Sequence, residues 1–163
     1  MIRRTRRGLA ALALTATVSI ALLGCSTADD GPDRDAGTGQ VTEEATIDIV
    51  ALEVGDCIMD APSGLREDID VVPCTASHDQ EVFHEIIMPD GDFSETDIDA
   101  ASMECIGDPY TAFVGIEKAE SVFEVFPLVP SETSWDEHDD RTIQCVVFDP
   151  AGPVTGTLAG ASR

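Results

Sequence analysis

Gln80-Glu81-Val82-Phe83-His84-Glu85-Ile86-Ile87-Met88 is the stretch that decides the fold. With side chains alternating across a strand, Val82, His84, Ile86 and Met88 share one face, and Phe83 and Ile87 the other. Apolar residues on both faces predict an interior strand, which Pro89-Asp90-Gly91-Asp92 breaks. Downstream, Ser94-Glu95-Thr96-Asp97 has the form of a helix start, with Ser94 or Thr96 as cap and acids in the first turn. Ile98, Ala101, Cys105 and Ile106 fall on one helical face. Asp108-Pro109 ends that helix and opens a further turn through Phe113.

Other extended segments surround this pair. Residues 47–54 are apolar-rich and stop at Gly55-Asp56, residues 70–72 stop at Pro73, and residues 120–126 and 141–148 have strand character. A weak last strand is expected over 154–158, after Asp149-Pro150-Ala151-Gly152-Pro153. Strands gather around one helix without βαβ alternation. The expected fold class is therefore α+β: a small, mostly antiparallel sheet with one main helix.

The chain has 163 residues, and all eight aromatics lie beyond residue 82. It carries 9 Lys and Arg against 32 Asp and Glu, a formal charge of −23. Arg3, Arg4, Arg6 and Arg7 precede an apolar run over residues 8–23, and no acid appears before Asp29. Sixteen apolar-rich residues are too few to span a bilayer, which takes about 20, and they suit the core of an export signal. The run ends Leu22-Leu23-Gly24-Cys25, the pattern of a bacterial lipobox. There the thiol of Cys25 is alkylated by a diacylglyceryl group, and the small Gly24 admits the peptidase that cuts before it. Two acyl chains anchor stably, at about 0.8 kcal/mol per buried CH₂.

Three segments follow from this: a lipoprotein signal peptide over 1–24, the lipidated Cys25 with a disordered acidic linker to 46, and a folded domain over 47–163. The linker expectation comes from residues 27–39, which hold no large apolar side chain. Removing the signal leaves five cations against 32 acids, a charge of −27. Such a surface repels phosphate backbones and anionic headgroups, so the chain is expected to bind no nucleic acid and to meet the membrane only through its anchor. The expected location is the extracytoplasmic face of the cell membrane.

Four cysteines remain: Cys57, Cys74, Cys105 and Cys145. An even number in a small exported domain predicts two disulfides. Of three possible pairings, Cys57–Cys74 with Cys105–Cys145 is favoured, clamping a turn-rich loop and pinning the helix to the strand of Cys145. The alternative, Cys74-x-x-x-His78 as half a zinc site, lacks any C-x-x-C or H-x-x-x-H partner, and no metal or other cofactor is expected.

A search for catalytic patterns finds no G-x-S-x-G elbow, phosphate loop or dinucleotide fingerprint, and the chain is not expected to be an enzyme. Asp90-Gly91-Asp92 resembles a calcium loop only faintly, and helix capping explains the same letters. The stretch Glu132-Thr133-Ser134-Trp135-Asp136-Glu137-His138-Asp139-Asp140 surrounds the single Trp with five carboxylates just before Arg141. Either Trp135 covers a core edge while a neighbouring acid pins Arg141, or the segment is an acidic, aromatic-centred surface. Trp135, Asp140 and Arg141, with His78, are the candidate partner-binding patch.

Several of these residues together resemble the septum formation domain found in exported proteins of high-G+C Gram-positive bacteria. The carrying residues are Val54-Gly55-Asp56-Cys57, Val72-Pro73-Cys74 and Ser77-His78-Asp79-Gln80-Glu81-Val82-Phe83. They continue with Cys105, Pro130 before Trp135, and Asp140-Arg141 leading to Cys145, so the resemblance covers nearly all of 52–148. One departure is Glu137-His138-Asp139, where a Gly is expected, which bears on a tight turn there. The resemblance implies a link to septum formation and no established catalytic residues. His78-Asp79-x-Glu81 places a titratable ring beside two carboxylates at a disulfide-fixed turn, where hydrogen bonding would orient the start of the 80–88 strand. The expected function is a membrane-anchored, non-catalytic binding or accessory module of the cell envelope. Its partner would be an envelope protein or wall component. The alternative is a small divalent-cation binder or a wall-active hydrolase.

Overall fold

Strand β5 (Gln80–Ile87) is the axis of the structure, a computed structural model that describes residues 31–59 and 67–163. The signal segment, Cys25 and residues 26–30 lie outside the described residues. β5 pairs with β2 (Cys57–Ile58) on one side and, along its whole length, with β7 (Thr142–Phe148) on the other. With β1 (Ala45–Asp48), β3 (Asp68–Val72) and β6 (Glu124–Leu128) they form a six-stranded antiparallel sheet in the order β1-β3-β2-β5-β7-β6. A second, two-stranded sheet joins β4 (Ser77–His78) to β8 (Val154–Thr155). The fold is α+β with a mostly antiparallel sheet, as expected.

A bulge in β5 corrects the simple alternation. Val82 stands opposite Val146, but His84 stands opposite Cys145, so Phe83 is the extra residue. Its side chain joins the helix-side core with Ile143, Cys145 and Val147, and Ile86 and Met88 pack there too. Val82 faces the other way, into a second core with Ile58, Val71 and Val146. Val82 and Phe83 have thus exchanged the faces that strict alternation assigns them, as a bulge does when two residues oppose one.

The helical segment is α1 (Glu95–Ser102), a 3₁₀ turn over Met103–Ile106, and α2 (Asp108–Val114). The Ser94 side chain caps α1 by accepting from the Asp97 amide at 3.3 Å, with Glu95 and Asp97 favourably placed in the first turn. Ile98 and Cys105 are buried as expected, but the 3₁₀ turn carries Ile106 out to solvent. Gly115 ends α2 at φ +94°, and a Cβ there would lie 2.6 Å from Ser162 Oγ.

Both disulfides form in the favoured pairing, Cys57–Cys74 and Cys105–Cys145, with Cα atoms 5.2 and 5.4 Å apart. The second ties the helical segment to β7 inside the larger core. Chain-entropy arithmetic gives closures of this length about 3 and about 4 kcal/mol. The last strand is shorter than expected, and the strand expected over 120–126 is shifted to Glu124–Leu128, with Phe123 buried just before it.

The largest departure is at the N-terminus, where residues 31–46 are not a free linker. Arg34 bridges to Val41, and Val41 is a buried member of the second core. The Arg34 guanidinium forks onto Asp56, with Nη1 donating to Oδ1 and Nη2 to Oδ2 at 3.0 Å. Asp56 is fully buried and accepts a further bond from the Glu53 amide at 2.9 Å. Its hydrogen bond raises the Arg34 pKa above the ordinary value, against the opposing effect of burial. Composition misses this because one cation and one valine suffice to dock the arm.

Removing Arg34 strands a buried carboxylate, so Arg34→Ala is predicted to cost about 3–5 kcal/mol. The Arg34→Met, Asp56→Asn pair removes both charges and is predicted to lose clearly less. Urea unfolding of the three proteins checks this, and equal losses for single and double variants contradict it.

Candidate functional site

The residues singled out in the sequence fall at two separate places. His78 lies in β4, before the start of β5, whereas Trp135 packs against Phe93, beyond its far end. The eight residues of β5 separate them by about 26 Å at 3.3 Å per residue. The four residues of the expected patch do not form one surface.

At the first place, the buried His78 ring donates from Nδ1 to the Ala76 carbonyl at 3.0 Å. Its Nε2 is buried with no hydrogen-bond partner among the described residues. The Glu81 carboxylate, also buried, accepts from Thr157 Oγ1 at 2.5 Å and from the Leu158 amide at 2.7 Å. Burial pushes the Glu81 pKa up, and these two bonds and nearby His78 pull against it. The ring is thus oriented by its own turn, while Glu81 clasps the C-terminal strap.

That strap is fastened elsewhere as well. The Gly156 amide donates to the Cys74 carbonyl at 2.6 Å, and the Arg163 guanidinium meets Asp149 at 2.8 Å over the Phe123 ring. In the sequence Glu81 stands out only as a neighbour of His78, because nothing local announces a partner 76 residues away.

Cys57, Cys74 and Glu81 are the one group of three close metal-ligating side chains among the described residues. Both sulfurs are joined in the disulfide, which removes Cys74 from the half zinc site weighed with His78. Of the other histidines, His84 is half-buried with Nε2 3.6 Å from Glu104, and His138 caps the C-terminus of α3 (Glu132–Glu137) in an exposed position. Among the described residues no histidine hydrogen-bonds a serine, threonine or cysteine side chain, the contact that would activate a nucleophile.

At the second place, residues 132–137 form helix α3, opened by a capping box between Ser131 and Ser134. The helix turns Trp135 inward until it is 3% exposed, and its Nε1–H donates to the Gly91 carbonyl at 2.8 Å. Arg141 lies 4.0 Å over the ring, donates to the Trp135 carbonyl at 2.7 Å, and pairs with Asp139 at 3.1 Å. Asp140 accepts from Ser134 Oγ at 3.0 Å and from the Thr142 amide at 3.1 Å. Trp135 is therefore a core residue locked from three sides, and cannot serve as an exposed aromatic anchor.

Asp139 takes φ +55°, the left-handed conformation in which a glycine is easiest. A tight turn forms here with aspartate as its left-handed residue. Beside Trp135 an open pocket of about 290 Å³ is lined by Met88, Asp90, Asp92, Ser94 and Asp97. Ser94 already caps α1, so the Asp90-Gly91-Asp92 letters are accounted for by the turn into that helix.

No protein-family model, curated protein or solved structure gives a significant match to this chain. Among the described residues no helix is long and apolar enough to cross a membrane.

The Glu81 environment predicts a pH dependence of known sign. A carboxyl whose pKa is raised by folding binds its proton more tightly in the native state, so its stabilising contribution is greatest when protonated. That contribution is lost as pH rises from the ordinary value of 4.5 through the folded one. The unfolding free energy of the native protein minus that of Glu81→Gln should therefore fall over this window. Chemical unfolding across pH 4 to about pH 8 measures it; a difference that rises with pH contradicts the assignment.

Proposed function

We propose that this chain is a lipid-anchored, extracytoplasmic, non-catalytic binding module of the cell envelope that acts at sites of septum formation. The observation that carries this reading is the use to which the fold puts its polar residues. His78, Glu81, Trp135, Asp140 and Arg141 are all engaged in internal contacts, which leaves recognition to the acidic exterior. The export-type N-terminus and two buried disulfides support an oxidising location. The septal part comes from the resemblance of residues 52–148.

The docked N-terminal arm shortens the tether. Nine residues lead from Cys25 to Arg34, which is clamped on Asp56. At about 3.3–3.6 Å per residue that leash reaches at most about 30 Å. As a coil it averages about 16 Å. The domain would therefore work close to the bilayer, facing components of the membrane-proximal envelope.

A full-length fusion to an export-competent fluorescent protein is predicted to outline the cell and concentrate at septa, and Cys25→Ala to release it from the membrane fraction. Uniform cytoplasmic fluorescence contradicts export, and an even outline contradicts septal action. Turnover of a wall or lipid substrate by the purified protein, lost on His78→Ala, would replace this reading with the hydrolase.

A further inference from the structure

Among the described residues, the sheet leaves an apolar margin uncovered. Across β5, β7 and β6, the pairs Ile87–Thr142, Glu85–Gln144–Leu128 and Val146–Phe126 put Ile87, Glu85, Leu128 and Phe126 on one face. Ile86, Ile143 and Val125 turn the opposite way, into the helix-side core. Val146 and Leu128 pack into the second core, but Ile87 and Phe126 remain 64% and 52% exposed. From strand and residue spacings these two side chains stand about 16 Å apart, with the exposed Glu85 beside the line joining them. Val129, just past β6 at the Ile87 end, is exposed as well.

Charge selects the occupant. Arg34, Lys118, Arg141 and Arg163, the cations among the described residues, each already pair with a carboxylate. A second copy would thus bring acid against acid at Glu85. Pro127 interrupts the outer edge of β6 and opposes strand addition there. Anionic polymers and headgroups are repelled by the net charge, −27 without residues 1–24 (five cations against 32 acids).

We propose that this margin docks a basic, apolar-bearing segment of another envelope protein, its apolar side chains on Phe126 and Ile87 and a lysine or arginine on Glu85. This names the partner chemistry of the binding module argued above and rests on that reading. A contact of this kind gains its area from two exposed anchors and its register from one charge pair.

The test uses the full chain anchored in phosphatidylcholine nanodiscs, with binding to empty nanodiscs subtracted. The probe is a synthetic peptide alternating leucine and lysine, beside a leucine–glutamate counterpart. The lysine peptide should bind and shift amide resonances at residues 85–87, 126–129 and 142–144. Ile87→Lys and Glu85→Lys should each weaken it about tenfold or more, while Asp99→Lys, the same charge change as Glu85→Lys placed on exposed α1, should change it less than about threefold. Both β5 positions are exposed, and unchanged melting temperatures show the variants fold. Equal losses on Asp99→Lys would reduce the effect to net charge and overturn the site, as would preference for the glutamate peptide. Self-association abolished by Ile87→Lys would overturn it by seating a second copy there. Septal localisation without peptide binding would refute this inference alone, whereas a cytoplasmic fusion would refute the module reading.

Discussion

The bulge at Phe83 is the constraint on which both halves of the molecule depend. It lets a single strand, β5, serve two cores. Held to the alternation of Ile86 and Met88, Phe83 would turn away from the helical segment and Val82 toward it. With the bulge, Phe83 meets the Tyr110 ring edge-on at 5.9 Å and the Phe113 ring at 5.4 Å, anchoring α2 to the sheet. Each half then has its own covalent staple. Cys105–Cys145 holds the helical segment on β7, and Cys57–Cys74 fixes the β2–β3 side next to the start of β5. Glu81, two residues before the bulge, draws the C-terminal strap back onto the same strand.

A chain this acidic keeps few charges inside, and those it keeps are tied down. Asp56 is buried against Arg34, Glu81 against two donors of the strap, and Asp149 against Arg163. All three contacts recruit terminal segments: Arg34 brings in the N-terminal arm, and Thr157, Leu158 and Arg163 the C-terminal strap. Buried ionic groups are expensive unless fully partnered, so each fixes a terminal segment in one place. Most other acids among the described residues are exposed, which gives the surface its sign and the proposed docking margin its preference for a basic partner.

Features with a local cause were legible in the sequence. The Ser94 cap, the break at Asp108-Pro109, the buried Ile98 and Cys105, and both disulfides follow from neighbouring residues or from counting cysteines. What escaped was set by distant partners or by one-residue irregularities. Val82 and Phe83 exchanged faces because a bulge leaves no mark in an apolar strand. Residues 31–46 passed for a linker because their docking depends on Arg34 finding Asp56, 22 positions away. For Trp135 the residues left two readings open, a core edge or an acidic surface, and the capping serines decide for the first by making a short helix that turns the indole inward. Glu81 drew notice for its neighbour His78, and its actual donors lie at the far end of the chain.

On the proposed reading this is a small exported domain whose conspicuous residues hold it together and whose recognition lies on an acidic surface near the membrane. The central claim is the covalent state that export imposes: a lipid on Cys25 and no free thiol elsewhere. Intact mass measurement of the membrane-extracted protein, alkylated with and without prior reduction, reads both at once. The account predicts a chain beginning at Cys25 with an added diacylglyceryl mass, taking up no alkyl group before reduction and four after it. A chain still carrying residues 1–24, with Cys57, Cys74, Cys105 and Cys145 alkylated before reduction, would contradict it.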